Sequence, residues 1–184
     1  MTDTQTPGTP ALLVVDVQRD VIAESIHPEA TVETIRGLVE RARARSVPVI
    51  WVRHHADEEL VLGSDGWQIV PELDPGEDPV VEKRYGDSFA DTDLQDQLRR
   101  VGADGVVLCG AQTDACIRGT FYGALYRGYP VTLVSDAHTT GDLRPWGAPV
   151  GPEESIALLN LYAENTSLPG VRGSVVTAAE AFGD

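Results

Sequence analysis

Cys116 is the residue of this 184-residue chain whose type and position best suit nucleophilic chemistry. It follows the apolar run 106–109, which has the pattern of a strand buried on both faces. Gly110 then signals a turn, and Thr113 or Asp114 offers the N-cap of a helix with Cys116 in its first turn. The helix dipole and the unpaired N–H groups there favour a thiolate, the nucleophilic form of cysteine. The alternative is a small buried residue that packs the helix against the sheet, and this stretch alone does not distinguish the two.

Two further chemical groups follow apolar runs of the same kind. Asp16 comes directly after the run 11–15, and Lys83 closes the run that begins at residue 80. A cysteine nucleophile needs a group that takes its proton and a positive charge that stabilises the thiolate and the later oxyanion. Asp16 can serve as base and then as acid, while Lys83 can lower the pKa of the thiol and orient the carboxylate. The alternatives are a turn or cap role for Asp16 and a solvated surface position for Lys83.

The elements that must position these residues alternate between strands and helices. Apolar runs predict six strands, and amphipathic stretches predict five helices. The strands are 11–15, 47–52, 80–83, 106–109, 131–135 and 173–177, and the helices are 31–45, 91–100, 115–126, 153–164 and 178–182. This alternation predicts an α/β fold with a parallel sheet, helices on both faces and right-handed crossovers. Because ligands bind beyond the carboxyl ends of such strands, Asp16, Lys83, Cys116 and Asp136 are expected at one edge of the sheet.

Composition limits the classes of partner. The net charge of −15 argues against nucleic-acid backbones and anionic membranes as partners, and it is compatible with cationic small molecules. No apolar run approaches the ~20 residues of a membrane helix, and residues 1–10 lack the features of a signal peptide. Two cysteines do not make a disulfide framework. We therefore expect a cytoplasmic protein with a disordered tail at 1–10 and a single domain at 11–184.

Three motifs together resemble those of the isochorismatase-like cysteine hydrolases. They are DVQRD after the first strand, EKRYGDSFADTDL after the third and CGAQTDACIRGT after the fourth. The resemblance runs in order from residue 11 to the end of the chain. It implies a three-layer α/β/α sandwich with a six-stranded, mostly parallel sheet. It also implies an Asp-Lys-Cys catalytic triad, whose matching positions here are Asp16, Lys83 and Cys116.

The same resemblance implies a backbone feature beside the nucleophile. Family members carry a non-proline cis peptide shortly before the cysteine, which corresponds here to the bond between Ala111 and Gln112. That bond would help to aim backbone N–H groups, those of Gln112 and Cys116, at the substrate oxygen as an oxyanion hole. The thiolate would attack the carbonyl of a C–N bond, and water would hydrolyse the resulting thioester.

Within the family, the segments 63–73, 87–94 and 136–150 look most like streptothricin hydrolases and their relatives, which open a cyclic amide in a cationic antibiotic. The metal-dependent nicotinamidases of the family carry Asp-x-His and a further His after the second strand. His54 and His55 do not have that spacing, and adjacent residues on a strand point to opposite faces. We therefore predict no catalytic metal and no cofactor.

Residues that contact the substrate are predicted on the segments near the active edge. The candidates are Trp67, Phe89, Tyr122, His138 and Trp146. For each aromatic residue, packing in the core or in a subunit interface is the alternative, and for His138 it is a cap or turn role. Cys109, inside the fourth strand, is expected to pack in the core. The resemblance also implies a homo-oligomer, either a dimer or a tetramer.

The leading functional hypothesis is a metal-independent cysteine amidohydrolase that acts on a small amide or lactam, a substrate that can carry positive charge. Other amidohydrolases of the family, of nicotinamidase, carbamoylsarcosine or ureidoacrylate type, are alternatives. A non-enzymatic nucleotide- or flavin-binding module is disfavoured, because the first βα turn has no Gly-rich phosphate motif. A redox-sensing thiol protein would share a reactive Cys116 but would not need Asp16 and Lys83 at the same edge.

Overall fold

A mostly parallel, seven-stranded sheet forms the centre of the computed structural model, which describes residues 9–182. Its strands are β1 (Pro10–Val15), β2 (Val49–His54), β3 (Val80–Lys83), β4 (Gly105–Ala111), β5 (Val131–Thr139), β6 (Ser167–Leu168) and β7 (Val171–Val176). They lie in the order β3-β2-β1-β4-β5-β7-β6, and only β6 is antiparallel to its neighbour. The predicted α/β fold with helices on both faces of the sheet is confirmed.

The described part of the chain has five α-helices beside the sheet: α1 (Arg19–Ala23), α2 (Pro28–Ala44), α3 (Leu94–Arg100), α4 (Arg118–Tyr126) and α5 (Pro152–Asn165). Helix α2 packs Ile35 and Leu38 on one face of the sheet, whereas α4 and α5 pack Phe121 and Leu159 on the other. The central strands β1 and β4 are apolar along their length because both of their faces are buried. In β1, Leu12 and Val14 face α2, while the residues that alternate with them along the strand face α4 and α5.

Several element predictions need correction. The sheet has seven strands instead of six, because two residues after α5 pair with β7 as the short strand β6. Residues 178–182, predicted as a helix, form turns, and helix α1 was not predicted. Strand β1 begins at Pro10. The disordered tail expected at 1–10 lies mostly outside the described part of the chain, which begins at residue 9. Between residues 9 and 182, no helix combines the length and apolar character needed to cross a membrane.

The strand order reverses between β1 and β4. Strands β2 and β3 extend the sheet on one side of β1, while β4, β5 and β7 extend it on the other. Such a switch point opens a crevice beyond the carboxyl ends of the two central strands. Asp16 directly follows β1 and Cys116 lies shortly after β4, so both residues flank this crevice.

Candidate active site

The ends of β1 and β4 approach each other closely at the crevice. Asp16 has a left-handed backbone (φ 52°), and its N–H donates to Val52 O at 2.9 Å. Gly110 has φ 122°, and a Cβ atom at this position would lie 2.0 Å from Val15 O. Only glycine fits there, because both the backbone angle and the space exclude a side chain. This contact sets the position of the segment that carries Cys116.

The ammonium of Lys83 brings the chemical groups together. It ends β3 and reaches across β2, so that Nζ lies 2.7 Å from Asp16 Oδ2 and 3.1 Å from Cys116 Sγ. Lys83 and Asp16 are each only 1% exposed. The three residues, which come from three distant parts of the chain, therefore form one contiguous cluster at the switch point.

The charges in this cluster stabilise one another. Burial lowers the pKa of Lys83, but the carboxylate of Asp16 and the sulfur of Cys116 more than offset it, so this pKa lies above its ordinary value. Lys83 is therefore an ammonium at neutral pH. Asp16 Oδ1 is buried and has no hydrogen-bond partner among the described residues, although its sister oxygen pairs with Lys83. A buried carboxylate oxygen with a free lone pair is a proton acceptor available for chemistry.

The environment of Cys116 corrects the expectation of a stabilised thiolate. Cys116 lies in a π-helical turn, Thr113–Ile117, whose N-cap is Gln112 instead of Thr113 or Asp114. Burial and the negative charge of Asp16 raise the pKa of Cys116 to about 12, against the opposing effect of Lys83. The thiol is thus protonated at neutral pH, and it needs a base at the moment of reaction.

The segment before the cysteine is held by a network of side chains. The peptide bond between Ala111 and Gln112 is cis. The carboxamide oxygen of Gln112 accepts hydrogen bonds from Thr140 Oγ1 (3.0 Å) and Gly141 N (2.9 Å), and Nε2 donates to Val21 O (3.2 Å). Gln112 therefore connects the cysteine turn to α1 and to the loop after β5.

His54 is a further member of the cluster. Its Nδ1 lies 3.1 Å from Lys83 Nζ. Ligand atoms of Asp16, His54 and Cys116 lie within 4.8 Å of one another, a spacing that a metal ion could bridge. The ammonium of Lys83, however, already lies within 3.1 Å of an atom of each of these groups. An ion bound by all three would have to displace it, so the residues present fit a metal poorly.

His138 is a buried link between the cysteine turn and α5. It is 3% exposed, with Nδ1 2.9 Å from Thr113 Oγ1 and Nε2 2.9 Å from Asn160 Oδ1. Burial lowers the pKa of His138, although the bond to Asn160 opposes this effect, so the ring is neutral at pH 7. It supports the turn that carries Cys116. Asp136 is not in the cluster, because β5 continues past it and its Oδ1 accepts from Ala178 N.

Three of the predicted substrate contacts have roles in packing. Trp67 is buried beneath the guanidinium of Arg53, which lies 3.7 Å from the ring centroid. Phe89 belongs to the core and stacks on Tyr129, so its prediction as a wall of the crevice is not supported. Tyr122 packs its ring edge-to-face with Phe121 and stacks on Tyr126. Cys109 is fully buried, as expected for core packing.

Trp146 has a different setting, because it is 78% exposed. Together with Gln112 and Glu24 it lines a cavity of about 380 Å³. Glu24 also lines a second cavity of about 610 Å³, whose other acidic residues are Asp20, Glu58 and Glu59. Within residues 9–182, no basic residue lines either cavity. A larger cavity of about 780 Å³ lies against α1 and α2. Among the described residues, no member of the Lys83 cluster lines any of these three cavities.

Comparisons with known proteins agree with this architecture. A family model described as the isochorismatase domain matches residues 10–148. A streptothricin hydrolase of Streptomyces noursei is 36% identical over 72% of this chain and 55% of its own length, so the chain spans about half of that relative. N-carbamoylsarcosine amidase from Thermoplasma acidophilum is 31% identical, with a TM-score of 0.72 over 94% of this chain and 98% of that one. A cysteine hydrolase from Pseudomonas syringae pv. phaseolicola has the same fold, with a TM-score of 0.83 at 24% identity over 97% of this chain and 92% of that one.

Proposed function

Because the chain belongs to the isochorismatase domain family, we propose that it is a cysteine hydrolase that cleaves the C–N bond of a small amide or lactam. The observation that carries this proposal is the position of Lys83 Nζ, 2.7 Å from Asp16 Oδ2 and 3.1 Å from Cys116 Sγ, at the switch point of the sheet. Nucleophile, base and fixed positive charge are the three groups that thiol-dependent acyl transfer requires.

In the first half of the reaction, the proton of the Cys116 thiol passes to Asp16 as the sulfur attacks the carbonyl carbon. This transfer is needed because the pKa of Cys116 is raised to about 12. The negative charge that develops on the carbonyl oxygen is received by the backbone N–H groups of Gln112 and Cys116. The C–N bond then breaks, the leaving nitrogen takes the proton from Asp16, and a thioester to Cys116 remains.

In the second half, water attacks the thioester. Asp16 removes the proton of the water, the C–S bond breaks, and the proton returns to the sulfur, which leaves a carboxylic acid product and the resting thiol. Lys83 remains an ammonium throughout and keeps Asp16 oriented toward the thiol. No step requires a metal ion or a cofactor, so a chelator such as EDTA should leave turnover unchanged.

The acidic surroundings favour a substrate that carries positive charge. Glu24 lines both the cavity beside Gln112 and the neighbouring cavity that contains Asp20, Glu58 and Glu59. The relatives include proteins named streptothricin hydrolase and N-carbamoylsarcosine amidase, so both kinds of amide belong in a substrate screen. We propose that a cationic amide or lactam is preferred to a neutral one.

The test is a panel of amides and lactams, including a streptothricin, N-carbamoylsarcosine and nicotinamide, assayed for release of amine or ammonia. We expect turnover of at least one compound, its loss in Cys116→Ala, and its retention in the matched control Cys109→Ala. Intact mass spectrometry during turnover should show an acyl adduct that maps to Cys116. Activity that persists in Cys116→Ala would contradict covalent catalysis. A thiol that reacts with peroxide but hydrolyses nothing in the panel would favour a redox-sensing protein instead.

We also propose that the chain forms a homo-oligomer, either a dimer or a tetramer, through the layer that contains α4 and α5. Both helices pack on the same face of the sheet, and their outer surfaces expose Tyr126, Leu158, Leu161 and Tyr162. Exposed apolar side chains of this size often mark an interface between copies. Sedimentation should give two or four times the mass of the chain, and Leu161→Arg should lower that mass. A monomer for the unmodified protein would contradict the proposal.

A further inference from the structure

The ammonium of Lys83 has three hydrogens, and the described residues offer it three acceptors. Two belong to the reacting groups, Asp16 Oδ2 and Cys116 Sγ. The third is His54 Nδ1, at 3.1 Å. An ammonium has no lone pair, so His54 must present an unprotonated Nδ1 to it. The ring is then the neutral tautomer with its hydrogen on Nε2.

The position of His54 is itself fixed by a buried side chain. Gln18, which is 0% exposed, donates from Nε2 to His54 O and accepts from His54 N through Oε1, both at 2.8 Å. The same Nε2 also donates to Trp67 O at 2.8 Å. A carboxamide that pairs with both backbone groups of one residue holds that residue as a strand partner would. The end of β2 is therefore held where the imidazole meets Lys83.

We propose that His54 is a positioning residue of this site: its neutral Nδ1 accepts the third hydrogen of Lys83 and so directs the other two at Asp16 and Cys116. The effect of His54 on catalysis rests on the proposed hydrolase function, whereas its effect on the reactivity of the Cys116 thiol does not. Without the imidazole, the ammonium of Lys83 is free to rotate, and its positive charge stabilises the thiolate of Cys116 less well.

The charges around His54 keep the ring neutral. Burial and the positive charge of Lys83 lower the pKa of His54, and Asp16 opposes them. His55 and Arg84 lower the pKa of His54 further. The acceptor lone pair at Nδ1 is therefore present throughout the neutral range.

The experiment measures the rate of Cys116 alkylation by iodoacetamide as a function of pH, in a Cys109→Ala background so that a single thiol reacts. His54→Leu keeps the volume of the side chain but removes the acceptor. We expect it to slow alkylation at pH 8 about threefold to tenfold, which corresponds to a rise of up to about one unit in the pKa of the thiol. His54→Asn, whose side-chain oxygen can accept near the position of Nδ1, should restore most of the rate.

Two controls separate positioning through Lys83 from a general structural effect. His55→Asn, on the adjacent residue, should leave the rate unchanged. In a Lys83→Met background, His54→Leu should have no further effect, because the group on which it acts is gone. A rate unaffected by His54→Leu, or an equal slowing with and without Lys83, would overturn the proposal. Circular dichroism and thermal melts of each variant show whether it is folded. If His54→Leu is not folded, His54→Phe, a ring of similar shape that also lacks the acceptor, takes its place.

This measurement needs no substrate, so its outcome is independent of the proposed hydrolase activity. If an amide is turned over, His54→Leu should lower kcat with little change in KM, since His54 touches the catalytic ammonium and acts through it. If no amide is turned over, the alkylation rates still decide whether His54 positions Lys83.

Discussion

The ammonium of Lys83 and the carboxylate of Asp16 act on the Cys116 thiol in opposite directions. Burial and Asp16 raise the pKa of Cys116 to about 12, while Lys83 lowers it. The resting site therefore holds its charge in the Asp16–Lys83 pair, and the sulfur stays neutral until a substrate arrives. Such an arrangement protects the thiol from oxidation, because oxidants and alkylating agents attack the thiolate.

Substitutions of Asp16 and of Lys83 should therefore have opposite effects on the reactivity of the Cys116 thiol. Asp16→Asn removes the charge that disfavours the thiolate, so Cys116 should react with iodoacetamide about tenfold faster at pH 8, as expected for about one unit of pKa. Lys83→Met should slow the same reaction by a similar factor. Both variants should lose amide turnover. If both slowed alkylation equally, Asp16 would be a stabiliser of the thiolate, and the assignment of Asp16 as a base that acts only during the reaction would be wrong.

The buried ion pair also controls stability. Lys83→Met leaves the Asp16 carboxylate without its partner, and breaking a buried pair in this way costs about 3–5 kcal/mol of unfolding free energy. The double variant Asp16→Asn with Lys83→Met should recover most of that loss. Urea unfolding measures the free energy of unfolding of the unmodified protein, of Lys83→Met and of the double variant. Arg99→Met, which breaks an exposed pair with Asp96, is the matched control and should change the midpoint little. A double variant as unstable as Lys83→Met would mean that lost packing, not the unpaired charge, is responsible.

Among the elements, the contact between the ends of β1 and β4 limits which substitutions are compatible with the position of the turn that carries Cys116. Gly110→Ala would place Cβ 2.0 Å from Val15 O, so the turn that follows would have to move. Gly128 also has a positive φ, but no described residue lies within 4 Å of a Cβ built there. Gly110→Ala should therefore abolish turnover and destabilise the fold by about 3 kcal/mol or more, whereas Gly128→Ala should cost about 1 kcal/mol with turnover retained. Thermal melts and the amide assay measure both effects. Similar effects of the two changes would mean that the contact with Val15 is unimportant.

The sequence predicts most of the elements and the convergence of the three reacting groups. Each of these groups follows a buried apolar run, and parallel strands end at one edge of the sheet, so chain position alone brings Asp16, Lys83 and Cys116 together. The short strand β6 escapes prediction because two residues carry no periodic pattern. Helix α1 is missed for a similar reason, since five residues give too short a window.

Chemical detail at the site is harder to predict because it depends on distances that no local pattern encodes. The role of His54 arises from contacts with Lys83, 29 residues away, and with Gln18, 36 residues away. The direction of the pKa shift at Cys116 depends on how burial and Asp16 compare with Lys83, whereas the sequence suggests only the favourable helix dipole and the ammonium. Buried aromatic residues such as Phe89 look the same in sequence as those that line a crevice.

The whole molecule carries a net charge of −15. Of the residues that the structure describes, acidic but no basic ones line two adjoining cavities, one of which contains Gln112. Glu24 is the residue that the two cavities share. We expect the electric field at these two cavities to attract cations and to repel anions, over a distance that salt reduces to ~8–10 Å at physiological ionic strength.

A comparison of charged and neutral substrates at different salt concentrations tests this field. Between about 0.02 M and about 0.5 M NaCl, kcat/KM for a cationic amide should fall severalfold, whereas the value for a neutral amide of the same shape should change little. Glu24→Gln should reduce the preference for the cation at low salt. Glu40→Gln, on α2 and outside both cavities, is the matched control with the same change in net charge. An equal salt dependence for both amides would mean that the acidic surface contributes to solubility and not to substrate choice.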